Sequence, residues 1–149
     1  MKTAISLAAA LLTFACGSTA PDTTSPDLRP SPSGGGSLTD TQWVLTEIDG
    51  EPPLGEAEIT LVVDDSTAGG NSGCNYYGGT PHVTVGTFRL VEIVATARAC
   101  EDARLMDQES EYLAILAETS AWEIEGETLE LLAATGERLV FRATDENAQ

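Results

Sequence analysis

The sequence predicts an α+β fold: a small β-rich domain of about seven short antiparallel strands with one helix packed on the sheet. Three observations lead there. From residue 40 to about 143, apolar and polar residues mostly alternate with a period of two, punctuated by Gly, Pro and Asp. A single segment, between Asp102 and Thr119, carries helical spacing with no Gly or Pro inside it. The chain has 149 residues, which leaves room for one core once its non-alternating N-terminal part is set aside.

The elements follow in order. Thr41–Ile48 alternates as a strand and is stopped by Asp49-Gly50 and Pro52-Pro53. Glu58–Val63 is a second strand, with Ile59, Leu61 and Val63 on one face. The glycine-rich stretch Thr67–Thr80 is expected to hold one short strand bent by bulges around Gly73-Cys74. Val83–Gly86 and Thr87–Thr96 give two more, the latter presenting Phe88, Leu90 and Ile93. In the helix, Asp102 is the N-cap. Leu105, Tyr112, Leu113 and Leu116 form the apolar face, with Asp107, Gln108, Glu111 and Glu118 expected to face water. Trp122–Glu125, Thr128–Ala133 and Arg138–Arg142 close the chain, joined at Gly126 and at Thr135-Gly136. The helix then covers an open side of the sheet.

Ahead of this domain the chain reads as an address. Met1-Lys2 followed by the apolar run Ala4–Ala15 is too short to span a bilayer, which takes about 20 residues, and suits a secretory signal over 1–15. Ala15-Cys16-Gly17 resembles the cleavage site of a bacterial lipoprotein, in which the cysteine is acylated and becomes the new N-terminus. Cys16 is therefore the expected lipidation site, with cleavage near Gly17 or Ala20 as the alternative for a soluble secreted or periplasmic protein. Sixteen of the 21 residues in 17–37 are Gly, Pro, Ser or Thr. Such a segment cannot bury enough surface to offset its ordering entropy, so 16–37 reads as a lipidated cysteine and a disordered tether, 38–143 as the domain and 144–149 as a disordered tail.

Charge narrows the partners. Seven Lys and Arg stand against 24 Asp and Glu, a net charge of −17. No basic stripe exists to displace counterions from phosphates, which excludes nucleic acid and disfavours anionic headgroups. Lys2 is the only lysine, so lysine nucleophiles and Schiff bases are excluded from the folded part. The acidic surface is expected to speed association with cationic partners, with a solubility surface or adaptation to salt as the alternative.

Little points to chemistry. The one histidine, His82, has no evident nucleophile beside it. Gly70-Asn71-Ser72-Gly73-Cys74 approaches a nucleophile elbow but ends in cysteine and precedes no helix. Asp64-Asp65 and Glu101-Asp102 lack calcium-loop spacing and read as solvated turns. A zinc site would need carboxylates added to too few Cys and His, so no metal and no cofactor is expected. The most site-like cluster is Asn75-Tyr76-Tyr77, two amphipathic aromatics in a glycine-rich bend, read as candidate ligand contacts or as aromatics packed at a sheet edge.

Taken together, the segments resemble the META domain, also called the HslJ-like family. The residues that carry the likeness run from Trp43 to Phe141. They are Trp43-x-Leu45-x-x-Ile48, then Gly73-Cys74-Asn75-x-Tyr77-x-Gly79, then Thr96-x-x-x-Cys100, with Arg98 where methionine is common. Glu109-x-x-Tyr112-x-x-x-Leu116 fits the helix, and Trp122-x-Ile124-x-Gly126-x-x-Leu129-x-Leu131 fits the closing hairpin. The resemblance implies a compact mixed α+β fold, frequent placement on exported lipoproteins and no established catalytic constellation.

With Cys16 acylated, Cys74 and Cys100 remain in a compartment that permits disulfides, each at the end of a family motif. They are expected to be bridged, with two buried free thiols as the alternative. The functional expectation is a non-enzymatic envelope lipoprotein, anchored in the membrane and binding or stabilising another envelope component, with a role in stress tolerance. A small-molecule or peptide-binding module and a carboxylate-dependent hydrolase are the alternatives.

Overall fold

A computed structural model describes residues 37–144. The expected signal, Cys16, nearly all of the tether and all but the first residue of the tail lie outside the described residues. Eight antiparallel strands form one sheet: β1 (Gln42–Ile48), β2 (Thr60–Val63), β3 (Ala68–Asn71), β4 (Tyr76–Thr84), β5 (Thr87–Ala95), β6 (Thr119–Glu125), β7 (Thr128–Ala133) and β8 (Arg138–Thr144). Their order is β5-β4-β3-β2-β1-β8-β7-β6, and α1 (Ala103–Ala117) links the two edge strands.

Those edges approach each other. The Trp122 amide of β6 donates to the Gly86 carbonyl at 3.3 Å, and its indole Nε1 donates to the Thr84 carbonyl at 2.9 Å. The sheet is thus eight strands curled into a nearly closed barrel, which corrects the expectation of about seven short strands with the helix covering an open side of the sheet. The strand boundaries also differ in 67–86. Ser72–Asn75 is a tight turn, with the Ser72 amide donating to the Asn75 carbonyl at 2.7 Å and Asn71 paired with Tyr76. What reads as one bulged strand is two, β3 and β4. Conversely, Val83 and Thr84 belong to the end of β4, which runs through Pro81, while Val85-Gly86 is the turn into β5.

The bulges sit elsewhere. In β1 the pairing with β8 slips between Leu45 and Glu47, so the inward face passes from Trp43 and Leu45 to Ile48. In β5 the extra residue is Glu92, at φ +55°, which carries the inward face from Phe88 and Leu90 to Ile93. Inside the barrel Trp43, Leu61, Phe88, Leu129, Leu131, Leu139 and Phe141 are fully buried. α1 lays Tyr112, Ile115 and Leu116 against them, and Asp102 caps it by accepting from the Arg104 amide at 2.9 Å. β3 must be glycine-rich to fit. A Cβ on Gly70 would lie 2.1 Å from the Thr60 carbonyl oxygen, and one on Gly69 2.3 Å from that of Tyr77.

Candidate functional site

The β3–β4 turn, the segment after β5 and α1 converge on one buried carboxylate. Glu109 lies on the core side of α1, 6% exposed. Its Oε2 accepts from the Ser72 hydroxyl at 2.7 Å and the Asn75 amide at 2.9 Å, and its Oε1 accepts from Asn75 Nδ2 at 2.7 Å. Asn75 is saturated in turn. Its Oδ1 accepts from the Thr96 hydroxyl and the Arg98 amide, both at 2.7 Å, and Nδ2 also donates to the Arg98 carbonyl at 3.2 Å. Thr96 passes the chain on by accepting from the Tyr76 amide at 3.2 Å. Cys74 and Cys100 are joined by a disulfide across the same segments, with Cα atoms 5.9 Å apart, as expected from the sequence.

Burial pushes the Glu109 carboxyl up, but the hydrogen bonds from Ser72, Asn75 and the Cys74 amide outweigh it and hold the group below its usual range. The carboxylate therefore stays ionised near neutrality, which suits an acceptor that organises donors and not a proton donor.

Beside this network stands a second buried pair. The Tyr77 hydroxyl donates to the Thr60 carbonyl at 2.9 Å, which fixes Tyr112 as donor in the 2.6 Å contact between the two hydroxyls. Burial raises both phenols, and Tyr112's donation offsets part of the rise at Tyr77 while adding to its own. The rings meet edge to face with centroids 5.6 Å apart, and Phe141 continues the stack at 6.5 Å from Tyr112.

Of the three candidate ligand contacts, Asn75 and Tyr77 are thus buried with their polar atoms engaged inside the protein, and Tyr76 alone is open, 61% exposed. Gln108, expected to face water, is buried. Its side-chain amide brackets residue 54, accepting from the Leu54 amide and donating to the Leu54 carbonyl at 3.3 Å. That clasp holds the loop after β1 against α1 and leaves between them a groove of about 500 Å³. His82 is exposed on β4 and lines a recess of about 320 Å³ with Asp64 and Asp65. Among the described residues, no three Asp, Glu, His or Cys side chains are grouped so as to hold a metal ion.

Sequence reasoning did not place Ser72 or Glu109 in one site, although a signal existed. Leu105, Glu109, Tyr112 and Leu116 are spaced four, three and four apart, so Glu109 falls on the apolar stripe, where a charge needs buried partners.

Comparisons with known proteins agree with this architecture. Residues 36–146 match the META domain family. A solved structure described as the NMR structure of the protein from Burkholderia xenovorans is similar, with a TM-score of 0.60 and 26% identity over 73% of this chain and 85% of that one. A second NMR structure, of a protein with no organism stated, shares the fold with a TM-score of 0.59 and 19% identity, covering 70% of this chain and 90% of its own. None of the curated proteins matches.

Proposed function

The chain belongs to the META domain family, and from that premise we propose that it is a non-enzymatic envelope lipoprotein, held at the membrane through an acylated Cys16, whose domain binds or stabilises another envelope component. The observation that carries this reading is the inward commitment of the family motif. Gly73-Cys74-Asn75-x-Tyr77 directs its polar atoms at Glu109, Thr96, Thr60 and Tyr112, where they tie turn, strand and helix together. The motif is thereby accounted for by stability, and the acidic exterior is what remains to meet a partner. A peptide-binding role is the form of partnership favoured by the groove beside α1.

Two measurements on the full-length chain test the proposal. Mass spectrometry of the membrane-extracted protein should find the mature N-terminus at Cys16 carrying acyl chains, and Cys16→Ser should lose membrane association. An unmodified N-terminus at Ser18 or Pro21 would refute the anchor. Crosslinking in intact envelopes should recover a defined envelope component. Turnover of an ester, glycoside or peptide, abolished by one substitution, would refute the non-enzymatic reading.

A further inference from the structure

The groove between α1 and the loop after β1 joins an apolar floor to an acidic rim. Ile48, Pro52 and Leu54 are its apolar lining, with Ile48 itself buried and Leu54 48% exposed where most large apolar side chains of the domain are buried. Four carboxylates line the opening, Asp49 and Glu51 from the loop and Asp107 and Glu111 from the helix, one turn apart. The single cation there, Arg104, is already paired with Asp102 at 2.7 Å, so it does not neutralise the rim. The walls are fixed in advance by the clasp of Gln108 on the Leu54 backbone and by the two-residue Asp49-Gly50 turn, in which Ile48 and Glu51 exchange both amide bonds. A preformed groove costs little ordering on binding.

We propose that this groove docks a basic segment of a partner protein, one in which Lys or Arg alternates with an aliphatic residue. The proposal rests on the envelope-binding reading and adds where and with what chemistry. An arginine or lysine stem lies along Pro52 and Leu54 while its head reaches the carboxylates, and the neighbouring aliphatic side chain takes the space above Ile48. A volume of about 500 Å³ suits a few side chains and not a folded surface. A divalent ion is a poor alternative, since no three of the described acids converge as ligands. Polyanions and anionic membranes are repelled by the same rim.

The test uses the full-length protein and a fluorescein-labelled hexapeptide of alternating Arg and Leu, followed by anisotropy at low salt and at about 300 mM NaCl. Saturable binding is expected, weakened about tenfold in Asp107→Asn/Glu111→Gln and changed less than about twofold in Glu123→Gln/Glu125→Gln. The second pair removes the same charge from β6, away from the groove. Leu54→Ala should weaken binding about threefold even at the higher salt, where the charge contribution is screened. Equal losses in both double variants would overturn the proposal by showing only attraction to net charge, as would an absence of saturable binding. Displacement by spermidine at the peptide's own concentration would also overturn it, in favour of a small polyamine. If the groove variant still crosslinks the same envelope component as the parent, the groove assignment fails and the envelope-binding reading stands. If the parent crosslinks none while the peptide results hold, the reverse follows.

Discussion

At Glu109 the desolvation of a carboxylate is offset by donors from Ser72, Asn75 and the Cys74 amide; removing the acceptor strands the Asn75 amide and one Nδ2 hydrogen, while the Ser72 hydroxyl keeps the Asn75 carbonyl at 2.8 Å. Glu109→Ala is therefore expected to cost about 2–4 kcal/mol in urea unfolding, and Glu109→Gln, which keeps one acceptor oxygen, about half as much. The pH dependence has a defined sign. Because the folded-state pKa lies below the ordinary carboxylate value, the contribution is complete above the unfolded pKa and is lost as pH falls through the folded one. The stability gap between parent and Glu109→Gln should thus narrow from about pH 5 towards pH 3, and a gap that widens on acidification would contradict this. The tyrosine pair gives an asymmetric expectation. Tyr77→Phe leaves the Thr60 carbonyl and the Tyr112 hydroxyl without partners, whereas Tyr112→Phe removes only a donor to Tyr77. The first should cost about 2 kcal/mol and the second about 1. These residues were visible as types and spacings but not as partners, because Ser72, Asn75, Thr96 and Glu109 meet only through contacts spanning up to 37 positions.

Among the elements, what could be read depended on whether a local pattern or a distant approach decided the geometry. The three-residue step from Leu45 to Ile48, and that from Leu90 to Ile93, already encode the bulges of β1 and β5. The Asp102 cap, the Asp49-Gly50 turn and the closing hairpins are likewise local. The division of Thr67–Thr80 was hidden, since Ala, Gly, Ser and Asn offer no alternation to break, and glycine there serves two separate needs. Gly70 has no room for a side chain against the Thr60 carbonyl, which is backbone and cannot turn aside. Gly86 has nothing within 4 Å but sits at φ +73° in the β4–β5 turn. Gly86→Ala is expected to cost about 1 kcal/mol, the left-handed penalty alone. Gly70→Ala should cost about 3 kcal/mol or more because two strands must separate. Comparable losses in parallel urea titrations would show that the approach of β2 to β3 is looser than these distances imply.

For the whole molecule the sequence does not announce closure, because no local signal says that Trp122 will reach back to Thr84 and Gly86 and join the edges of the sheet. Two global terms were legible, the cysteine pairing and the charge. The Cys74–Cys100 bridge spans 26 positions and by loop entropy stabilises by about 3–4 kcal/mol, so reduction should lower Tm by roughly 15 °C. Charge acts in the opposite sense. Residues 37–144 hold 20 acidic side chains and 5 arginines, and two of those arginines make the ion pairs seen among the described residues, Arg104–Asp102 and Arg138–Glu130. Most carboxylates therefore repel one another across an exposed surface. Glu123 and Glu130 are direct cross-strand partners on β6 and β7, a like-charge pair that destabilises the register it sits in. Screening should relieve this, raising Tm by roughly 5 °C between low salt and about 300 mM NaCl. Glu123→Lys replaces repulsion by attraction at that position and removes two units of negative charge. It should stabilise by about 0.5–1 kcal/mol at low salt, with most of the gain gone at about 300 mM. A gain that persists unchanged at high salt would trace instead to packing of the longer side chain, and a Tm indifferent to salt in the parent would mean that its surface charges are too far apart to oppose folding.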